Sequence, residues 1–196
     1  MSQNLASPAR TLAPEIGLWM NLNLLQDLTL DLYAIPILRH LPSERDFFRH
    51  IHRFHGESFE DFCRLCKELH RTVSEQIDIG AINESMDPAN AAEANQKKLR
   101  EIKRLAFWLT NIGHDGHKMT EVLAGVCDLR IGDAHAASGS ARDSLKLIGI
   151  PPDRSEYLAM CWHVIAEVAN SIARTCEAIA PNRLVRLQDI DKTEGF

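Results

Sequence analysis

Apolar residues recur along this chain at the three- and four-residue spacing of amphipathic helices. No segment shows the two-residue alternation of a half-buried strand, and glycine and proline are concentrated between the helical segments. The pattern predicts an all-α fold, an antiparallel helical bundle of five to six helices joined by short loops.

The predicted helices begin and end at capping residues. Pro14 suits the first turn of a helix that extends to about residue 38, unless Pro36 ends it earlier. Ser43 caps a short basic and aromatic segment that ends near Gly56. Further helices are predicted over about 58–77, 89–112, 119–134 and 155–179, with a loop over 78–90 and one or two helical turns over 143–148. In the last helix, Leu158 and Trp162 are expected to face inward.

Composition and charge place the chain among ordinary globular proteins. Of its 196 residues, 45% are hydrophobic and 25% are charged, which argues against disorder. The formal net charge of -5 means that contact with a nucleic acid would need a local basic patch. No signal peptide and no membrane span are evident, and the five cysteines are an odd number. We therefore predict a cytoplasmic protein with reduced thiols and no membrane contact.

The segment 130–135 combines residue types that can carry out phosphate chemistry. Arg130 supplies a planar cation that can grip phosphate, and His135 can move a proton near neutral pH, with Asp133 between them. One base, one acid and one cation suffice to cleave RNA without a metal. On a regular helix, Arg130 and His135 would lie about 140° apart. They would therefore need a chain turn, or a two-fold dimer axis, to act together.

The spacing of Arg130 and His135 at the end of a bundle helix resembles the R-x4-6-H motif of HEPN domains. These domains are small helical bundles, usually homodimeric, and many are metal-independent endoribonucleases of toxin–antitoxin, CRISPR-associated and phage-defence systems. The resemblance covers residues 89–180 and little of the first eighty residues. It implies a HEPN-like core over 89–180, with N-terminal helices over 1–88 packed on it or extending it. A charged tail over 181–196 follows.

One position departs from the family pattern. A polar residue commonly follows the arginine in active members, and here that residue is Ile131. Asp133 can fill the polar role by orienting Arg130 or His135; otherwise the segment is a dimerisation module without cleavage activity. A third interpretation pairs Arg130 with Asp133 on the surface and leaves His135 as a helix C-terminal cap, which the helix dipole favours in any case.

Two other clusters have simpler explanations. The histidines at 50, 52 and 55 precede Cys63, Cys66 and His70, which share one face of a predicted helix. Mid-helix cysteines among Phe59, Phe62 and Leu65 are more typical of core packing than of a zinc site. The basic and aromatic run over 45–53 is more typical of an amphipathic helix than of an RNA-stacking surface.

These observations leave three functional hypotheses. The first is a HEPN-like, metal-independent endoribonuclease that cleaves RNA as a homodimer through Arg130, His135 and Asp133, in a toxin or antiviral defence system. The second is a non-catalytic module that dimerises or docks on an antitoxin or another defence-complex subunit. The third is a metal-binding bundle that uses the side chains between His50 and His70. We predict no cofactor, since no glycine-rich phosphate loop or zinc-protease motif is present.

Overall fold

The computed structural model describes residues 13–52, 56–130 and 139–181, and their regular structure is helical. The elements are α1 (Pro14–Tyr33), α2 (Glu44–His50), α3 (Phe59–Thr72), a 3-10 helix (Ser74–Gln76), α4 (Ile79–Ser85), α5 (Pro88–Gln96), α6 (Glu101–Asn111), α7 (Gly116–Leu129), α8 (Gly139–Leu147) and α9 (Tyr157–Ile179). Extended pairing among the described residues is limited to one bridge between Leu38 and Ile77. The predicted all-α class is confirmed.

The number of helices is where the prediction was wrong. Nine α-helices lie in the described part of the chain, against the five or six predicted. The difference comes from α4, which lies in a segment predicted as a loop, from the division of the segment 89–112 into α5 and α6, and from α8, for which one or two turns were predicted. None of the described helices is both long enough and apolar enough to cross a membrane.

One hydrophobic core joins the helices from both halves of the chain. Helix α9 packs along α1, and α7 contacts α3, α6, α8 and α9. The core runs from Leu18 on α1 to Ala180 after α9 and includes the fully buried Trp108, Phe47 and Phe62. Burial of these large side chains supplies the main stabilising contribution to such a fold.

The predicted helix over 89–112 is in fact two helices, α5 and α6. The chain breaks between them at residues 97–100, where Lys98 takes a left-handed φ of 51°. This conformation is unfavourable for a lysine, and the buried Arg104 supports the turn by donating to the Leu99 carbonyl oxygen. Backbone hydrogen bonds from Lys98 N to Asn95 O and from Leu99 N to Ala94 O close this turn as a C-terminal cap of α5.

The prediction of a loop over residues 78–90 was also wrong, because this segment contains helix α4. The Asp78 carboxylate accepts hydrogen bonds from Gly80 N and Ala81 N and so caps that helix. Two helix ends fall earlier than predicted. Helix α1 ends at Tyr33, since Ala34 has a φ of 59°, and α3 ends at Thr72.

Leu158 and Trp162 do not face inward. Leu158 is 51% exposed and Trp162 is 44% exposed, whereas Cys161, Val164 and Ile165 are fully buried. Leu158 lies in the first turn of α9, and Trp162 lies about 100° around the helix from Cys161, at the margin of the buried stripe. The apolar positions of α9 span a wider arc of the helix than the part that neighbouring helices cover.

Candidate active site and anion-binding cleft

Arg130 is the one predicted site residue that the structure describes. It follows the last residue of α7, Leu129, and its backbone N–H donates to the Val126 carbonyl oxygen as a helix cap. Asp133 and His135 lie outside the described residues. The convergence of Arg130 with His135 therefore stays a prediction.

Arg130 contacts a carboxylate far from it in sequence. Its Nη1 lies 3.4 Å from Glu75 Oε1, and the same oxygen lies 3.5 Å from His70 Nε2. His70 comes from the last turn of α3, and Glu75 comes from the 3-10 helix that follows. Packing of α3 against α7 brings these two side chains to the end of α7, where Arg130 lies.

His70 is the buried member of this group. Its side chain is only 9% exposed, and its Nδ1 has no hydrogen-bond partner among the described residues. Burial lowers the pKa of His70, and the nearby Arg130 charge lowers it further, while Glu75 and Glu101 oppose the shift. The imidazole is therefore neutral at pH 7, and the carboxylate beside Nε2 favours the tautomer with its proton on that nitrogen.

Two adjoining cavities meet at these three side chains. The larger has a volume of about 880 Å³ and the smaller about 260 Å³, and His70, Glu75 and Arg130 line both. The larger cavity is lined by the cations Arg39, Lys98, Arg100, Lys103 and Arg130. The smaller cavity adds Lys67 and Arg71. Seven cationic side chains and three carboxylates, those of Glu75, Glu101 and Asp128, thus line the two cavities in a chain whose net charge is negative. Two of the cations also pair with carboxylates outside the lining, Arg39 with Asp78 at 4.0 Å and Arg71 with Glu68 at 3.8 Å.

The buried Arg104 supports the turn that carries two of these cations, Lys98 and Arg100. It is 3% exposed, and its guanidinium donates to Asn83 Oδ1 at 2.7 Å, to Asn95 Oδ1 at 3.0 Å and to the Leu99 carbonyl at 3.0 Å. These acceptors belong to α4, α5 and the turn at 97–100. By holding the turn, Arg104 sets where Lys98 and Arg100 enter the larger cavity.

The histidine and cysteine cluster is divided by the fold. Cys63 and Cys66 are buried in the core, and burial raises the pKa of the Cys66 thiol well above its ordinary value. His70, by contrast, belongs to the Arg130 group, and His55 lies outside the described residues. Within the described ranges, no three histidine, cysteine or acidic side chains are arranged to hold a metal ion.

The basic and aromatic run is mainly structural where it is described. Phe47 is buried and packs on Trp19 with ring centroids 5.1 Å apart, while Arg45, Arg49 and His50 are exposed. This run does not contribute to the two cavities around Arg130.

One sequence signal for the cleft was not among the predicted features. Lys97, Lys98, Arg100, Lys103 and Arg104 fall within eight residues, a denser basic run than the one over 45–53. His70 and Glu75 carry no comparable signal, because their relation to Arg130 depends on helix packing.

Comparison with protein-family models, with curated proteins and with solved structures found no match to this chain.

Proposed function

We propose that this protein is a HEPN-like, metal-independent endoribonuclease that binds and cleaves RNA at the cleft around Arg130. The observation that carries the proposal is the concentration of seven cations around the two cavities in a chain with a net charge of -5. Such a local field attracts a phosphate backbone although the whole protein is acidic. The homodimer and the role in a toxin or phage-defence system rest on the sequence resemblance.

Arg130, His135 and Asp133 have distinct roles in this proposal. Arg130 binds the scissile phosphate and stabilises the charge that builds up on it, and His135 transfers a proton, with Asp133 orienting one of them. The ribose 2′-oxygen loses its proton and bonds to phosphorus, while the bond from phosphorus to the 5′-oxygen breaks and that oxygen takes up a proton. The products are a 2′,3′-cyclic phosphate and a 5′-hydroxyl end.

Cleavage of a fluorescently labelled single-stranded RNA in EDTA tests the proposal. We expect Arg130→Ala and His135→Ala each to reduce the rate at least about 100-fold, the usual loss when a positioned proton-transfer or charge-stabilising group is removed. Arg142→Ala and His117→Ala are matched controls, because both side chains are exposed and line neither cavity. The proposal would be refuted if the wild-type protein cleaved none of a varied set of RNA sequences. It would also be refuted if Arg130→Ala and His135→Ala both kept full activity.

A non-catalytic module that self-associates is the second candidate. The exposed Leu158 and Trp162, one turn apart on α9, favour it as a small apolar surface for a second copy of the chain. Light scattering after gel filtration tests this: Trp162→Ser should convert a dimer to a monomer, whereas Leu30→Ser, at an equally exposed position on α1, should not.

A further inference from the structure

We infer that Glu75 occupies the position of a phosphate group, and that Arg130 and His70 are the two donors that bind this phosphate when Glu75 moves aside. The inference deepens the proposed function and rests on it for the identity of the ligand, a phosphodiester group of RNA.

The geometry around Glu75 is that of an anion held between donors. One carboxylate oxygen lies 3.4 Å from Arg130 Nη1 and 3.5 Å from His70 Nε2. Close charge-assisted hydrogen bonds are shorter, about 2.7–2.9 Å. The Glu75 side chain is 51% exposed, so water competes for it and the pairing is weak. A carboxylate held this loosely can be displaced.

A phosphate group suits the same position better than the carboxylate does. Its oxygens can take two parallel hydrogen bonds from the Arg130 guanidinium while another accepts from His70 Nε2. Lys67 and Arg71 also line the smaller cavity beside this point, and Arg71 pairs with Glu68 at 3.8 Å. Three cations, Lys67, Arg71 and Arg130, therefore stand against two carboxylates, Glu68 and Glu75, and this charge balance favours an anion at this position.

Exchange of the Glu75 carboxylate for a phosphodiester would change the surroundings of the His70 ring. The charged groups around the ring are Lys67 and Arg71 on its own helix, Glu75 on the 3-10 helix, Arg130 after α7, and Glu101 on α6. A phosphodiester carries one negative charge, as does the carboxylate that it displaces, so the charge beside Nε2 is kept while the atoms that contact the ring change. The His70 ring signals should therefore shift when the anion binds.

The test compares Glu75→Gln with Glu101→Gln. Both variants remove one negative charge from the lining of the larger cavity, but Glu101 has no ion pair with Arg130 or His70 in the structure. The probes are inorganic phosphate and a 2′-O-methyl hexanucleotide, which has phosphodiesters but no nucleophilic hydroxyl. Calorimetry gives the affinity for each probe, and NMR follows the His70 ring.

We expect Glu75→Gln to tighten hexanucleotide binding about fivefold, the scale of an exposed ion pair, and Glu101→Gln to change it less than about twofold. Arg130→Ala should abolish the difference between the two variants. In the wild-type protein, saturation with the hexanucleotide should shift the His70 ring signals. This last measurement does not depend on how well any variant folds.

Equal tightening of hexanucleotide binding in Glu75→Gln and Glu101→Gln would overturn the inference. His70 ring signals that do not change when the hexanucleotide binds would also overturn it. An effect with inorganic phosphate alone would keep the Glu75 position as an anion site and overturn its assignment to RNA. The proposed function is tested separately. If the protein binds the hexanucleotide as described but does not cleave RNA, the proposed endoribonuclease activity is refuted. If it cleaves RNA but Glu75→Gln has no effect on binding, the inference about Glu75 is refuted.

Discussion

Arg130 Nη1 and His70 Nε2 both approach one carboxylate oxygen, Glu75 Oε1, at 3.4 and 3.5 Å. His70 and Glu75 are close in sequence, but Arg130 is 55 residues beyond Glu75. The contact therefore connects the end of α7 to the end of α3, and it places a neutral histidine beside the arginine that the sequence singled out. Four predictions follow from the cleft and from the packing that supports it.

The first prediction concerns the pH dependence of stability. The pKa of His70 is lowered in the folded protein, mainly by burial and then by Arg130, so the unfolded chain binds a proton more readily than the folded one. The stabilisation is present above the unfolded pKa of about 6.5 and is lost as the pH falls through the folded value. Urea unfolding between pH 8 and pH 5 should show a smaller loss of stability for His70→Gln than for the wild type. His117→Gln, at an exposed position, should keep the wild-type slope; an equal slope in His70→Gln would contradict the prediction.

The second prediction concerns the buried Arg104. Arg104→Met keeps much of the side-chain volume but removes the guanidinium hydrogen bonds to Asn83, Asn95 and Leu99, and Asn95 Oδ1 keeps only the Asn83 Nδ2 donor at 3.4 Å. We expect a loss of about 1–3 kcal/mol in the free energy of unfolding, because hydrogen bonds from a buried charged group to partly buried acceptors are lost. Urea denaturation measures it, and the exposed Arg142→Met should change stability by less than about 0.5 kcal/mol. A loss no larger than that of the control would show that the turn at 97–100 is held by other contacts.

The third prediction concerns the close approach of α6 and α7. A Cβ atom at Gly116 would lie 1.9 Å from the Ala106 carbonyl oxygen, which is backbone and cannot move aside as a side chain would. Gly116→Ala should therefore destabilise the protein by about 3 kcal/mol or more. Gly139→Ala is the matched control, since nothing lies within 4 Å of the added atom, and it should be neutral or stabilise by up to about 1 kcal/mol. Thermal melting of the two variants tests this prediction. Similar melting temperatures for Gly116→Ala and Gly139→Ala would contradict the close approach of α6 and α7 at Gly116.

The fourth prediction concerns thiol reactivity in the cleft. Cys127 is half-buried and lines the larger cavity, and the Arg130 charge partly offsets the rise in its pKa that burial causes. Burial raises the pKa of Cys161 and of Cys176 to about 12, so both stay protonated and unreactive. A chromogenic disulfide reagent should modify Cys127 first.

Cys127→Ser should remove this fast phase, whereas Cys161→Ser should retain it. The 2′-O-methyl hexanucleotide should slow the phase in the wild type, because Cys127 shares its cavity with Arg130. A fast phase that survives in Cys127→Ser would place the reactive thiol elsewhere.

Features that depend on residues close together in the chain were predictable from the sequence. Helical periodicity predicted the all-α class, and Ser43 caps α2 as expected, with its hydroxyl accepting from Asp46 N at 3.2 Å. Arg130 was also identified as a candidate site residue from the residue types within its own segment, 130–135. These features are local because helical spacing and capping involve residues only three or four positions apart.

The positions of helix breaks and the grouping of charged side chains depend on tertiary packing. The turn at Lys98 is supported by Arg104, which reaches back to Leu99 and across to Asn83, a contact that helical periodicity does not predict. The exposure of Trp162 likewise depends on which neighbours cover α9. His70, Glu75 and Arg130 come together because α3 packs on α7, and the energy of that packing is shared among many core side chains rather than carried by a motif.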